Sequence, residues 1–202
     1  MTNGVAKPRT AKITRVTEET NIVLTLTIDG SGKRKINTPI GFLNHLLEQF
    51  AKHGLFDLEV VASGDTHFDD HHVVEDIGIV LGQAFEQAIG DKTGINRYGF
   101  FILPMDDALA TTAFDFSGRY GYRFDAEFRR EQIGDLSSEM LEHFWGAFAQ
   151  NARANLFIKS EYGRNDHHKA EGIFKAVARA IRIASEFDER LGDQLPTTKG
   201  RL

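Results

Sequence analysis

The chain contains no cysteine, which excludes disulfides and thiolate metal sites together. No apolar stretch approaches the roughly 18 residues of a membrane-spanning helix. The opening MTNGVAKPRT has no hydrophobic signal core and is too short to read as a transit peptide, so the cytoplasm is the expected compartment. An excess of positive charge is missing as well. Lys and Arg number 24 against 29 Asp and Glu, for a net charge of −5, and the basic residues are scattered. Nucleic-acid binders concentrate theirs, so that class is set aside. What remains is 41% hydrophobic and 26% charged residues, ordinary for a globular protein with a real core. A length of 202 residues suits one domain or two small fused ones.

Against these absences stands a repeat. Asp70-His71-His72-Val73-Val74-Glu75 reads D-H-H-x-x-E, and so does Asp166-His167-His168-Lys169-Ala170-Glu171, 96 residues on. Upstream, His45 opens H-L-L-E-Q-F and His143 opens H-F-W-G-A-F, 98 residues apart. Each half therefore holds an early histidine, a histidine pair and a glutamate. The set uses six of the eight histidines; His53 and His67 fall outside it.

The elements around these residues repeat too. Residues 1–10 read as a flexible arm. Lys12–Thr17 and Asn21–Asp29 read as strands, the second from the alternation of Leu24, Leu26 and Ile28 with threonines. Residues 41–52 have the apolar spacing of an amphipathic helix carrying His45. Phe56, Leu58 and Val60 mark a strand. Asp69 or Asp70 is then expected to cap a helix whose apolar face is Val74, Ile77, Leu81, Phe85 and Ala88, with Gly78 and Gly82 permitting close packing and Gly90 ending it. In the second half, Phe100–Leu103, Ala108–Phe116 and Tyr120–Phe124 are strand candidates. A helix capped by Ser137 or Ser138 carries His143, and Leu156–Lys159 is a strand. A last helix, capped by Asn165 or Asp166, turns Phe174, Val177, Ala178, Ile181 and Phe187 inward. The expected fold class is α+β, with layered sheet and helices and two duplicated β-β-α-β-α halves, 10–94 and 95–190, before a polar tail, 191–202.

Adjacent residues on a helix diverge by about 100°, so His71 and His72 do not readily chelate one ion together. Two ions, each served by one histidine of each pair, resolve this. Eight ligands over two ions give three imidazoles and one carboxylate apiece, a donor set that suits manganese, iron or zinc and leaves coordination positions open for chemistry. One short helical turn then presents ligands in two directions, so the metal sites are expected at subunit interfaces. A metal-dependent hydrolase and a non-catalytic metal-storage shell would share these ligands.

The sequence resembles the imidazoleglycerol-phosphate dehydratases from about residue 10 to 202. The resemblance is carried by Gly41-Phe42-Leu43-Asn44-His45-Leu46-Leu47, His53-Gly54-Leu55-Phe56-Asp57-Leu58, Gly64-Asp65-Thr66-His67-Phe68-Asp69-Asp70-His71-His72, Val74-Glu75-Asp76-Ile77-Gly78-Ile79 and Leu81-Gly82-Gln83-Ala84. Asp115-Phe116-Ser117-Gly118-Arg119, Asn165-Asp166-His167-His168-Lys169-Ala170-Glu171 and Phe174-Lys175-Ala176 carry it in the second half. Two positions depart: Asn44 stands where the family usually has Asp, which bears on how His45 is oriented, and Thr197 where it tends to have Ser. The resemblance implies a duplicated fold like domain 2 of ribosomal protein S5, two Mn2+ per active site and a 24-subunit homo-oligomer sharing ligands between subunits. It implies a lyase of histidine biosynthesis that dehydrates D-erythro-imidazole glycerol phosphate to imidazole acetol phosphate through an imidazolate and a diazafulvene-like intermediate. Matched by position, the metal ligands are His45, His71, His72, Glu75, His143, His167, His168 and Glu171. The substrate contacts are Glu19, Gln49, His53, Arg97, Arg119, Lys175, Thr197 and Lys199. Glu19, His72 and Glu75 stand at the chemistry, with Glu19 the candidate for proton transfer.

Overall fold

Alternation of apolar and polar residues builds two four-stranded sheets, one from each half of the chain. The computed structural model describes residues 8–202. The first half runs β1 (Thr10–Val16), β2 (Thr20–Thr27), β3 (Arg34–Asn37), α1 (Gly41–Gly54), β4 (Asp57–Gly64) and α2 (His71–Ile89). The second runs β5 (Tyr98–Met105), β6 (Ala108–Asp115), β7 (Gly121–Asp125), the two-residue strands β8 (Gln132–Ile133) and β9 (Leu136–Ser137), α3 (Met140–Asn151), β10 (Asn155–Tyr162) and α4 (Asp166–Ser185). The strand orders match: β1-β2-β4-β3 in one sheet and β5-β6-β10-β7 in the other. In each, the last edge strand pairs in parallel with its neighbour and the remaining pairs are antiparallel.

Each half is therefore β-β-β-α-β-α rather than β-β-α-β-α, with the short pair β8–β9 inserted in the second; β7 corresponds to the expected strand at Tyr120–Phe124, and β3 is the addition. β3 is four residues long, and only Ile36 is even half-buried, so no alternation reveals it in Arg34-Lys35-Ile36-Asn37. Its pairing with β4 is what makes it a strand.

The helices lie between the sheets. α2 packs on β1 and β2, α4 on β5, β6 and β10, and the halves meet where α1 crosses α4 and α2 crosses α3. Gly78 and Gly82 sit at the second crossing. A Cβ on them would lie 2.6 Å from the Phe144 carbonyl and 2.5 Å from the Phe148 carbonyl, so glycine is what lets the backbones approach. The buried aromatics Phe50, Phe56, Phe85, Phe144, Trp145, Phe148 and Phe174 fill the interior.

Several local expectations change. Of the arm at residues 1–10, residues 1–7 lie outside the described ones, and Thr10 already belongs to β1. Arg9 is fixed by Asp29 at 2.6 Å and by the Ser185 carbonyl at 2.8 Å. Phe187 is exposed, because α4 ends at Ser185 before the helical face can carry it inward; the Arg9 guanidinium covers its ring at 4.4 Å. Neither Ser137 nor Ser138 caps α3, since Ser137 is used in β9 and the helix starts after Glu139. Asn165 does cap α4, accepting from the His167 N–H at 2.9 Å. At α2 the N-cap is Asp70, whose side chain makes no capping bond; Asp69 before it accepts from the His71 N–H at 2.9 Å.

Candidate metal centre

Crossing of helices from opposite halves brings the repeated motifs together. His45 on α1 meets His167 and Glu171 on α4. His45 Nε2 lies 2.9 Å from Glu171 Oε2, and His167 Nε2 lies 3.1 Å from the same oxygen. One donor atom from each of these three residues falls within 4.8 Å of the others. The mirrored set forms at the other crossing. The rings of His143 on α3 and His71 on α2 are 5.0 Å apart, and His71 Nε2 is 3.4 Å from Glu75 Oε2. Spacing of four residues puts His and Glu on one helical face in both cases. Two imidazoles and a carboxylate converging in this way are a donor set that fits a divalent transition metal.

His72 and His168 join neither set. His72 Nδ1 faces Asp65 at 3.1 Å, and its Nε2 lies 3.7 Å from Glu19. Asp65 and then Glu19 raise its pKa, against the opposing effect of burial. His168 Nδ1 faces Asp107 at 2.6 Å. Within one chain, then, His45, His167 and Glu171 form a three-donor cluster, His71 approaches both Glu75 and His143 in a looser counterpart, and the second histidine of each pair points elsewhere.

The environment of Glu171 is unlike that of an ordinary carboxylate. Burial would raise its pKa, but Lys175, in contact with it one turn along α4, and His45 outweigh that and hold it at about 2. Further along, His53 on α1 is half-buried opposite Lys175 and Arg179. Its pKa is lowered by that burial and by the two cations. Gln49 lies between His45 and His53 at helical spacing.

Arg97, Arg119, Thr197 and Lys199 gather at a different place, a cavity of about 550 Å³ walled by the C-terminal tail. The Arg97 N–H donates to the Ala184 carbonyl at the far end of α4 from His167. At 1.5 Å per residue that is about 25 Å away. The Arg97 fork is already taken by Asp115, at 2.7 and 3.1 Å, and its remaining nitrogen donates to the Pro196 carbonyl at 2.8 Å. Arg119 is exposed, and its contact is with the Ser117 carbonyl at 3.2 Å. The predicted substrate contacts thus fall into groups that one chain does not bring together: Gln49, His53 and Lys175 along α1 and α4, the four residues of this cavity, and Glu19 beside His72.

Asn44 does not touch His45. Its amide pairs with the Thr38 backbone in both directions, accepting from the N–H at 3.0 Å and donating to the carbonyl at 3.1 Å. An aspartate could not make the second bond.

Comparison with known proteins adds to this geometry. The profile of the imidazoleglycerol-phosphate dehydratase family matches residues 38–181. The chain belongs to this family. The dehydratase of Hydrogenovibrio crunogenus is 52% identical over 194 residues, covering 96% of this chain and 100% of that protein. That of Rhodopirellula baltica is 50% identical over 96% of both chains. Among solved structures, the Staphylococcus aureus enzyme superposes with a TM-score of 0.80 at 39% identity, covering 89% of this chain and 99% of that one. The Pyrococcus furiosus enzyme, in complex with (S)-C348, gives 0.82 at 33% identity, covering 94% and 100%. The α+β fold is that of the family, and with membership comes the enzyme class, a dehydratase among the lyases.

Sequence reasoning missed several carboxylates that shape the centre. Asp65 and Asp107 went unnoticed because they reach their histidines across loops. Asp135 accepts from the Gly41 and Phe42 N–H groups at 2.6 and 2.8 Å, so α1 is capped from the other half. The first residue of each D-H-H motif serves the same long segment. Asp70 accepts from Ser137 N at 2.5 Å, and Asp166 from Arg129 and Arg130 N at 2.9 Å each. Their recurrence at one motif position was the available signal.

Proposed function

We propose that the protein dehydrates D-erythro-imidazole glycerol phosphate to imidazole acetol phosphate in histidine biosynthesis. It works with two Mn2+ per active site, as a cytoplasmic 24-subunit assembly whose sites lie between subunits. The observation that carries this reading is the division of the candidate ligands: a close cluster of His45, His167 and Glu171, a looser counterpart of His71, His143 and Glu75, and His72 and His168 turned away from both. Four ligands per ion are reached only if a neighbouring subunit supplies the missing histidine. The separation of the Arg97–Arg119 cavity from Lys175 and His53 supports the same sharing.

His45, His167 and Glu171 would hold one ion and His71, His143 and Glu75 the other, with His72 and His168 completing the sets. Bound there, such ions would supply Lewis acidity toward the nitrogens of the substrate ring. Glu19 is the group placed to move a proton. It is an exposed carboxylate outside the ligand set, beside His72. Its turn is rigid: Thr17 Oγ1 accepts from the Glu19 and Thr20 N–H groups at 3.1 and 2.9 Å, and Thr20 Oγ1 donates to buried Asp76 at 2.5 Å. Lys175, Arg119, Thr197 and Lys199 offer the cations and donors a phosphate requires, and the Arg97–Asp115 pair braces the tail through Pro196.

Purified protein given Mn2+ and imidazole glycerol phosphate should form the enolisable ketone, and chelator should abolish turnover. Turnover of phosphoesters instead would favour a hydrolase, and metal loading without turnover a storage shell. Chelator is also expected to dissociate the assembly; an unchanged sedimentation coefficient with activity gone would refute metal-dependent assembly. Removing residues 193–202 should raise KM for the phosphorylated substrate, and unchanged kinetics would take the tail out of the site.

A further inference from the structure

The second histidine of each pair is gripped by an aspartate that the repeated motif does not contain. His72 Nδ1 lies 3.2 and 3.1 Å from the two oxygens of Asp65, and His168 Nδ1 lies 2.6 Å from Asp107 Oδ1. An ionised carboxylate only accepts hydrogen bonds, so Nδ1 carries a proton in both rings, and in the neutral imidazole that binds metal the lone pair is then on Nε2. Among the described residues neither Nε2 makes a hydrogen bond. The carboxylates beside them, Glu19 at 3.7 Å and Asp106 at 3.5 Å, stand beyond that range.

These two aspartates are not counterparts in the duplication. Asp65 lies on the loop between β4 and α2, and Asp107 in the turn between β5 and β6. The residue 96 positions after Asp65 is Glu161, which pairs with Lys159 at 2.6 Å. The turn matching that of Asp107 is the β1–β2 turn, which carries Glu19. Two unrelated loops thus deliver the same group to the same ring nitrogen, which simple copying of one half into the other does not produce. Both aspartates are themselves held. Asp107 Oδ2 accepts from Arg164 and Asn165 N–H at 2.6 and 3.0 Å, and Asp65 N–H donates to the Glu19 carbonyl at 3.2 Å.

We infer that Asp65 and Asp107 are positioning residues that lock His72 and His168 in the Nδ1–H tautomer, so that each presents Nε2 outward as the donor a neighbouring subunit's metal site lacks. This rests on the proposed ligand set and assigns how two of its members are aimed. It also ties the loop of Asp65 to the turn of Glu19, so His72 and Glu19 are oriented together.

The test is Mn2+ binding, followed by electron paramagnetic resonance titration of chelator-stripped full-length protein, with metal-free thermal unfolding measured alongside. D65A and D107A should each weaken binding by roughly 10- to 100-fold, the usual cost of losing a carboxylate behind a ligating imidazole. D65N and D107N should recover most of that loss, since an amide oxygen still accepts from Nδ1–H. Parent-like affinity in the alanine variants would overturn the inference while leaving the ligand set standing. A loss that the asparagine variants do not recover, accompanied by a lower unfolding temperature without metal, would also overturn it, because the aspartates would then be merely structural. If the parent protein itself binds no Mn2+, the ligand set fails and this inference with it.

Discussion

The two histidine–carboxylate sets are built alike and flanked differently. Each takes one histidine from the helix of one half and a His-x-x-x-Glu face from the helix of the other. Beyond the donors the likeness ends. Glu171 is 8% exposed and paired with Lys175, whereas Glu75 is 43% exposed and has Ile79 at the equivalent position. Two turns along, Arg179 on α4 stands opposite His53, whereas Gln83 on α2 stands opposite Asn151, 3.3 Å away. The duplication has kept the histidines and the carboxylate in both places and put cations beside only one. On the proposed reading, metal binding would need both carboxylates equally, while an anionic substrate would need positive charge once, and on one side.

That contrast sets the expected results. E171A and E75A should each cut kcat/KM by at least the order of 100-fold that loss of even an outer partner costs a metal site. Near-parent kinetics in E75A would show the second cluster to be no ligand set and end the comparison. K175A should raise KM by roughly tenfold, because a charge-assisted contact contributes about 1.5–3 kcal/mol. An unchanged KM would leave Lys175 with only its structural contact to Glu171. In chelator-stripped protein, E171Q should lower unfolding free energy by about 2 kcal/mol, since it strands the half-buried Lys175. E75Q should stay within about 0.5 kcal/mol, as exposed positions do. Equal losses in denaturant titration would mean that the two environments do not differ energetically.

The smallest effect serves as a control away from both clusters. Arg9 holds the Asp29 carboxyl below the usual carboxylate range, and the pair is partly exposed. A depressed folded value stabilises above the ordinary one and is lost as pH falls through the folded value. D29N should therefore lower stability above about pH 4 by less than about 1 kcal/mol, because solvent screens the pair, and the gap from the parent should close as pH falls below that. An equal gap at acid and neutral pH would contradict that assignment.

Much of the fold was legible because it rests on local period. The strands around Leu24, Val60 and Ile158 and the helices carrying all six repeated histidines follow from alternation or helical spacing. β3 was not legible, because a short edge strand with one half-buried residue has no pattern of its own. Phe187 misled because it continues the helical stripe of Phe174 and Ile181 past the point where α4 stops. At the site, histidine and glutamate were found by repetition. Asp65, Asp107 and Asp135 were not, because an acidic loop residue looks the same whether it meets water or caps a distant group.

By itself the amino-acid sequence determined the donor chemistry, six imidazoles and two carboxylates with no thiolate, and their doubling. It also determined that His71 and Glu75, and His167 and Glu171, share helical faces, since four residues make about one turn. Only the tertiary structure decided that His45 joins the motif of the second half and His143 that of the first. That choice follows from α1 packing on α4 and α2 on α3 through the glycines at Gly78 and Gly82. Which helix meets which depends on the fit of whole surfaces far apart in the chain, and no local period encodes it.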